Sequence, residues 1–144
     1  MHLIKLCVGI ENPAELIAWQ RHRLEVLRRS GKPAELVHRT RHMPKKRDEV
    51  LDGGSLYWVI KGVIQLRQRI TDLREEMNAE GRSMCGIVFD PVLVPTRPQT
   101  RRPFQGWRYL TAADAPPDLP QAERGAIEAM PAEMRAELAA LALL

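Results

Sequence analysis

Two apolar runs joined by a two-residue break constrain the fold of this chain more than any other feature. The first run, Ser55–Ile60, is β-branched and aromatic, and the second, Val63–Ile70, alternates apolar with polar residues. The break, Lys61-Gly62, has the length and the glycine of a β-hairpin turn. Side chains alternate across a strand, which predicts one apolar face made of Ile64, Leu66 and Ile70. The polar residues of this strand are then expected on the opposite face: Gln65, Arg67 and Arg69.

A strong helix-start signal precedes the hairpin. Asn12 is a good helix cap, Pro13 suits the first helical position, and Glu15 stands three residues after the cap. We expect this helix to run to about Arg29, because a glycine and a proline follow soon after. Short apolar or aromatic runs predict the remaining strands and a short helix: strands at His2–Val8, Leu36–Arg41, Met84–Phe89 and Gly106–Leu110, and helical turns within Pro44–Leu51.

The polar and proline-rich segments are expected to be irregular. Asp72–Gly81 fits a helical turn or a loop, and Asp90–Phe104 fits a long extended loop because it contains four prolines. Ala112–Pro120 is a second proline-rich connection, and from Gln121 the composition favours helix, with a break at Pro131. We therefore expect one α+β domain over residues 1–119 and a C-terminal helical extension over residues 120–144 that packs on it.

The order of these elements indicates the fold class. Repeated strand–helix–strand units are absent, and most links between strands are too short for parallel crossovers. This favours an α+β fold with an N-terminal helix and a small mixed or antiparallel sheet, which can curl into a barrel.

Composition places the chain among globular proteins. It has 144 residues, of which 44% are hydrophobic and 28% charged, and this is enough for one ordinary domain. Cys7 and Cys85 stand in apolar runs and are expected to be buried free thiols rather than a disulfide. The N-terminus does not follow a signal-peptide layout, and no apolar run is long enough to span a bilayer. We expect a cytoplasmic protein without membrane partners.

Charge is distributed unevenly along the chain. Residues 1–111 carry 20 Lys and Arg against 12 Asp and Glu, a net +8, whereas residues 112–144 carry 2 against 6, a net −4. A basic body attracts phosphate-bearing polyanions. Alternatively, the acidic segment docks on the basic body and neutralises it. The sequence leaves both interpretations open.

The cations of the body are the best candidate site. With one aromatic residue, they form the predicted nucleic-acid-binding set: Lys45, Lys46, Arg47, Arg67, Arg69, Arg101, Arg102, Trp107 and Arg108. Basic side chains neutralise phosphates, and an exposed Trp107 or Phe104 would stack on unpaired bases. The partner would be RNA or another phosphate-bearing ligand. The competing interpretation is a solvated set of cations with the aromatic residues in the core, which suits Tyr57 and Trp58 best.

Other function classes have weaker support. An enzyme acting on a nucleotide or a modified base would need a pocket, and Tyr57, Lys61 and Asp90 are the candidates for it. The chain has no nucleophile or phosphate-loop motif, so the catalytic residues are unknown and no cofactor is implied. His38 and His42 lack a third ligand at a suitable spacing, and we expect no metal site. A protein-interaction module using the C-terminal helix is the third alternative, and the oligomeric state is open.

Three long motifs resemble a bacterial family catalogued as domain of unknown function 1489. They are HLIKLCVG at the start, RHMPKKRDEVLDGGSLYWVIKGVIQLRQRI in the middle and RPFQGWRYL towards the end. The resemblance spans nearly the whole chain and implies no particular activity or catalytic residue. The order of elements is also similar to that of PUA-like domains, including the ASCH and EVE domains. That similarity implies a small pseudo-barrel that handles RNA or modified bases.

Overall fold

The computed structural model describes residues 1–123 and shows a mixed seven-stranded sheet with few helices. Its strands are β1 (His2–Leu6), β2 (Leu36–Thr40), β3 (Ser55–Ile60), β4 (Val63–Met77), β5 (Ser83–Phe89), β6 (Val94–Thr100) and β7 (Trp107–Leu110). Its helices are α1 (Pro13–Arg29), α2 (Arg47–Leu51) and a 3₁₀ turn at Gln121–Glu123. The predicted C-terminal helical extension lies, beyond this turn, outside the described residues.

The strand order is β2-β5-β4-β3-β1-β7, and β6 pairs with β4 as well. Strand β1 runs parallel to β3, and the other pairs are antiparallel. The 15-residue β4 is the longest strand: its first half pairs with β3 and β6, and its second half pairs with β5. The predicted α+β class with a mixed sheet is confirmed. The sheet does not close into a barrel, because β2 and β7 end the strand order without pairing with each other.

Helix α1 forms where the sequence predicts it. The Asn12 side chain accepts a hydrogen bond from the Glu15 N–H at 3.0 Å, and the Glu15 carboxylate accepts one from the Glu11 N–H at 2.9 Å. The first bond satisfies a donor that a helix N-terminus otherwise leaves unpaired, and the second ties Glu15 to the residue before the cap. Leu16 and Leu24 bury one face of the helix in the main core. The sheet therefore carries α1 on one side.

The hairpin turn is also confirmed. Lys61 and Gly62 have φ angles of 53° and 76°, the left-handed pair that a tight two-residue hairpin requires.

Apolar side chains cover both faces of the sheet. The larger core includes Leu3, Trp58 and Leu66 beneath α1. The smaller core, on the opposite face, consists of Ile4, Tyr57, Val59, Ile64 and Leu110.

A β-bulge makes the predicted alternation of β4 wrong. Trp58 pairs with Leu66 and Val59 pairs with Ile64, so Gln65 is an extra residue in the ladder. A bulge reverses the alternation, and Ile64 and Leu66 consequently lie in different cores. The Gln65 side chain is buried and donates to the Ile60 carbonyl oxygen at 3.1 Å. It does not belong to an outward polar row with Arg67 and Arg69.

Two segments predicted to be irregular contain strand. Asp90–Phe104 includes β6, which forms a ladder with β4 on one edge and an isolated bridge, Thr96 to Asp118, on the other. Proline lacks an N–H, and a strand with a continuous ladder on one edge only tolerates that loss. Asp72–Gly81 contains the second half of β4, which pairs with β5 as far as Met77. Its alternating burial, with Leu73 inside and charged residues outside, is that of a half-solvated sheet.

Residues 1–123 contain neither a disulfide nor a helix that could span a membrane. Cys85 is buried in β5, Cys7 is partly buried just after β1, and both are free, as predicted. Within residues 1–123 no helix combines the length and the apolar character that crossing a membrane requires.

Candidate functional site

The predicted cations do not form one continuous surface, and Arg67 has a structural partner. Its guanidinium binds both carboxylate oxygens of Asp118, at 2.7 Å and 2.6 Å, and donates to the Ser55 hydroxyl at 3.1 Å. The hydrogen bonds to Asp118 raise the pKa of Arg67. The bidentate geometry is the strong form of an Arg–carboxylate pair. Arg67 therefore holds part of the acidic C-terminal segment on the sheet.

Backbone contacts fix the same segment, which we call the strap (residues 115–119). The Arg97 N–H donates to the Pro117 carbonyl at 2.9 Å, and the Leu119 N–H donates to the Pro95 carbonyl at 2.9 Å. Leu119 is buried. In the strap, acidic and basic parts of the chain are thus in direct contact, as one of the two interpretations of the charge distribution expects.

The cluster before α2 lies beside β7. The Lys46 N–H donates to the Tyr109 hydroxyl at 3.0 Å, and the Lys46 ammonium lies 5.5 Å from the centre of the Tyr109 ring. Arg47 turns the other way, towards Leu73 and Asp72 on β4. Lys45 is exposed. Lys46 is therefore the member of this cluster that the structure brings next to the aromatic residues of β7.

The remaining predicted cations lie elsewhere. Arg101 binds the Gln99 side chain at 2.9 Å, and its main-chain N–H donates to the Gly62 carbonyl at 2.8 Å. Arg69 and Arg102 are exposed on the surface. None of the three lines the cavity that contains Trp107 and Arg108.

That cavity, the basic groove, is the strongest candidate site. Its volume is about 930 Å³, and its walls come from β1, the end of β2, the start of β5 and β7: Lys5, Arg39, Thr40, Arg41, His42, Met84, Gln105, Gly106, Trp107 and Arg108. Among residues 1–123, four cations and no carboxylate line the groove. The Trp107 indole N–H donates to the His42 carbonyl oxygen at 2.8 Å, which joins β7 to the end of β2. The groove is thus a fixed concave surface of one charge sign.

Aromatic rings and cations alternate along the groove and its rim. The Trp107 and Tyr109 rings pack edge to face, with their centres 4.9 Å apart. The Arg108 guanidinium lies 5.6 Å from the centre of the Phe104 ring. Arg39 is paired with Glu76 at 2.5 Å. Because Glu76 does not line the groove, its carboxylate reduces the positive potential without occupying the space.

Sequence reasoning missed three of the four cations of the groove: Lys5, Arg39 and Arg41. Lys5 and Arg39 belong to strands that were predicted from their apolar residues, and Arg41 follows β2 directly. Arg39 and Arg41 stand two apart, the spacing that puts side chains on one face of a strand. That spacing is the sequence signal that could have paired Arg39 with Arg41. Their approach to β7, however, depends on the strand order.

A second cavity, the cleft, lies between α1, β2 and the end of β1. Its volume is about 590 Å³, and it shares Lys5 and Arg39 with the basic groove. Three rings form its floor. His38 and Trp58 meet edge to face at 5.6 Å, and Trp58 and Phe89 do so at 6.0 Å. The cleft and the groove therefore adjoin, but the cleft is apolar inside.

His38 is uncharged at neutral pH. Burial, and secondarily the charge of Lys5, lowers its pKa to about 4. Its imidazole makes no hydrogen bond to another residue in the described part of the chain. A neutral imidazole has one donor and one acceptor, and His38 lines the cleft.

This pKa predicts a pH dependence of stability. Unfolded histidine titrates near pH 6.5, and a folded pKa near 4 means that the unfolded state binds more protons between these values. The contribution of His38 to stability is therefore complete above pH 6.5 and is lost as the pH falls towards 4. We expect the melting temperature of the His38→Gln variant to change less than that of the wild type over this window. His2, whose pKa burial also lowers, remains in both proteins and provides the internal reference. Parallel melting curves would contradict the assignment.

The structure does not bring the three predicted pocket residues together. Tyr57 lines a cavity with His2, Arg67 and the strap, and its ring meets the His2 ring at 5.1 Å. Lys61 lines a different cavity and pairs with Glu11 at 2.6 Å. Asp90 lines neither cavity, and its carboxylate accepts from the Val92 N–H at 2.8 Å, which stabilises a turn.

Metal-ligating side chains are not clustered in the described part of the chain. Residues 1–123 contain no group of three or more His, Cys, Asp or Glu side chains placed to hold a metal ion. His38 faces the cleft, whereas His42 lines the groove.

Comparisons with known proteins place the chain in a family without assigning it an activity. No curated protein and no solved structure matches the chain. A family model does match it, over residues 3–144. This range covers almost all of the sequence, including the motifs at the start, in the middle and near the end. The chain therefore belongs to the family described as "Protein of unknown function (DUF1489)".

Proposed function

We propose that the protein binds single-stranded RNA through the basic groove. The observation that carries the proposal is the groove's lining, in which the described part of the chain places four cations and an indole ring but no carboxylate. Lys and Arg neutralise backbone phosphates, and aromatic rings stack on unpaired bases whatever their identity. A duplex would leave the ring without a partner. A single strand uses both components.

The proposal changes the predicted set of contacts. Trp107 and Arg108 remain, Lys46 joins them at the rim through Tyr109, and Lys5, Arg39 and Arg41 are added. Arg67 is assigned to the strap because Asp118 already occupies its guanidinium. Lys45, Arg47, Arg69, Arg101 and Arg102 contribute at most to the long-range field. The similarity to PUA-like domains agrees with RNA as the ligand, but the proposal rests on the groove and not on that similarity.

Salt dependence of RNA binding tests the proposal. The Arg41→Ala/Arg108→Ala variant is expected to bind a fluorescein-labelled oligouridylate 12-mer roughly 10- to 100-fold more weakly at low salt, because two phosphate contacts are lost. The slope of log affinity against log salt should become shallower by about 1.4, since each phosphate contact on a single strand contributes about 0.7. Fluorescence anisotropy across a salt series measures both quantities.

Arg28→Ala is the matched control for this experiment. Arg28 is an exposed arginine in the last turn of α1 and lines neither the groove nor the cleft. Its removal lowers the net charge without touching the groove, and RNA affinity should stay within about twofold of the wild type. Affinity that ignores salt, or that falls equally in the control and the double variant, would refute binding in the groove.

A further inference from the structure

The cleft is large enough to hold a small molecule. Its volume of about 590 Å³ lies within the usual range for ligand sites, roughly 300–1,000 Å³. Helix α1 covers it on one side through Leu16 and Leu27, and the sheet forms the other side. A cavity between a helix and the sheet that it covers is held open by both elements, and so it exists before any ligand arrives.

The floor of the cleft selects for a flat apolar body. His38, Trp58 and Phe89 present edge-to-face rings there, and Leu6, Leu16 and Leu36 line the walls around them. Trp19 stands at the cleft on α1 with 58% of its surface exposed. An exposed tryptophan beside an apolar cavity gains contact area when a ring enters. A sugar or another strongly polar molecule would leave these surfaces without partners.

The charges of the cleft select for an anion. Four cations line it, Lys5, Arg23, Lys32 and Arg39, and Arg39 is already paired with Glu76. One carboxylate, Glu35, also lines it, and Arg74 holds that carboxylate at 2.7 Å, so its charge is already compensated. Arg23 and Lys32 form no ion pair with the described residues. The cleft therefore combines an apolar interior with an excess of positive charge.

We propose that the cleft is a binding site for a small aromatic carboxylate. The ring system rests on the Trp58 and Phe89 floor against Trp19, and the carboxylate meets the cations of the lining. The neutral imidazole of His38 donates or accepts a hydrogen bond at a ring substituent. This ligand is distinct from the RNA proposed for the basic groove, and the site does not depend on that proposal.

The two cavities are coupled because Lys5 and Arg39 line both. A carboxylate bound in the cleft neutralises part of the charge that the groove presents to phosphates. By linkage, bound anion and bound RNA then weaken each other to the same degree. The cleft would in this way let a small metabolite of this chemical class reduce RNA binding.

Titration with 2-naphthoate tests the cleft directly in the full chain without RNA. The chain has three tryptophans, and each gives a separate indole N–H signal in a ¹H–¹⁵N spectrum. We expect saturable shifts of the Trp19 and Trp58 signals, while the Trp107 signal changes least because its indole N–H lies in the groove, bound to His42. The neutral analogue 2-naphthalenemethanol should bind about tenfold more weakly, because it lacks the charge-assisted contact.

Variants on α1 supply the matched comparison. Arg23→Ala should weaken 2-naphthoate binding by roughly 5- to 10-fold, whereas Arg21→Ala, an exposed arginine on the same helix that does not line the cleft, should leave it unchanged. Equal affinity for the acid and the alcohol would overturn the anion site. Shifts of Trp107 alone, or no saturation at millimolar concentration, would overturn the cleft as the site. None of these outcomes bears on RNA binding in the groove, which its own variants test.

Discussion

Replacing Gln68 with leucine is expected to remove roughly 3–5 kcal/mol from the free energy of unfolding. Gln68 is fully buried and joins four hydrogen bonds. Its amide oxygen accepts from the Trp58 indole and from Gln20, and its amide nitrogen donates to Gln20 and to the Asp90 carbonyl oxygen. Leucine fills a similar volume but leaves these four groups unpaired inside the core, and an unpaired buried polar group costs about 1–3 kcal/mol.

Urea denaturation of Gln68→Leu beside Gln99→Leu measures this effect. Gln99 lies on β6, is half-buried, and accepts one hydrogen bond, from Arg101. The same chemical change there should cost about 1 kcal/mol or less. A typical domain has only about 5–15 kcal/mol of stability, so the Gln68 variant is expected to approach unfolding and the Gln99 variant is not. Equal urea midpoints would contradict the role of the buried network.

Replacing Gly54 with alanine is expected to be at least as damaging, with a loss of about 4 kcal/mol or more. A Cβ at Gly54 would collide with the backbone carbonyl oxygens of Val50 and Met1. Gly54 is also held in place, because its N–H donates to Val50 and its carbonyl accepts from Ile70. Three backbone segments therefore meet at this residue, and backbone cannot move aside as a flexible side chain can.

Gly86→Ala is the matched control for this substitution. A Cβ at Gly86 would lie 2.9 Å from the Glu76 carboxyl group, which is the end of a flexible side chain. Some rearrangement is needed there, and we expect a loss of about 1–2 kcal/mol. Thermal unfolding of both variants makes the comparison. A Gly54→Ala protein that melts at the wild-type temperature would show that the approach of the Val50 and Met1 backbones to Gly54 is not a constraint on the fold.

Local signals predicted the elements that local chemistry determines. The Asn12 cap and Pro13 determine where α1 begins, and Lys61-Gly62 determines the hairpin turn, because each acts within a few residues. The predictions that were wrong concern residues whose conformation depends on distant partners. Gln65 becomes a bulge where β3 and β6 flank it, and the prolines of β6 are tolerated because that strand has a continuous ladder on one edge only.

The candidate site was harder to predict than the fold for the same reason. Trp107 and Arg108 were recognisable as an aromatic–cation pair, but their companions Arg39 and Arg41 come from the opposite end of the strand order. The folded sheet brings residues from both ends of the strand order to one cavity. Arg67 shows the converse: it has the composition of a phosphate ligand, yet Asp118, 51 residues away, occupies it. Neither relation has a signature in a short window of sequence.

Strand β4 pairs with β3, β5 and β6, and this central position also affects how the chain folds. Its pairings with β3 and β5 close short turns, so they cost little loop entropy and can form early. The pairing of β1 with β3 joins residues about 53 positions apart, and that of β1 with β7 joins residues more than 100 apart. We infer that β3, β4 and β5 form the folding nucleus, while β1 and β7 dock last. The basic groove, which needs both late strands, is therefore the final part of the described structure to form.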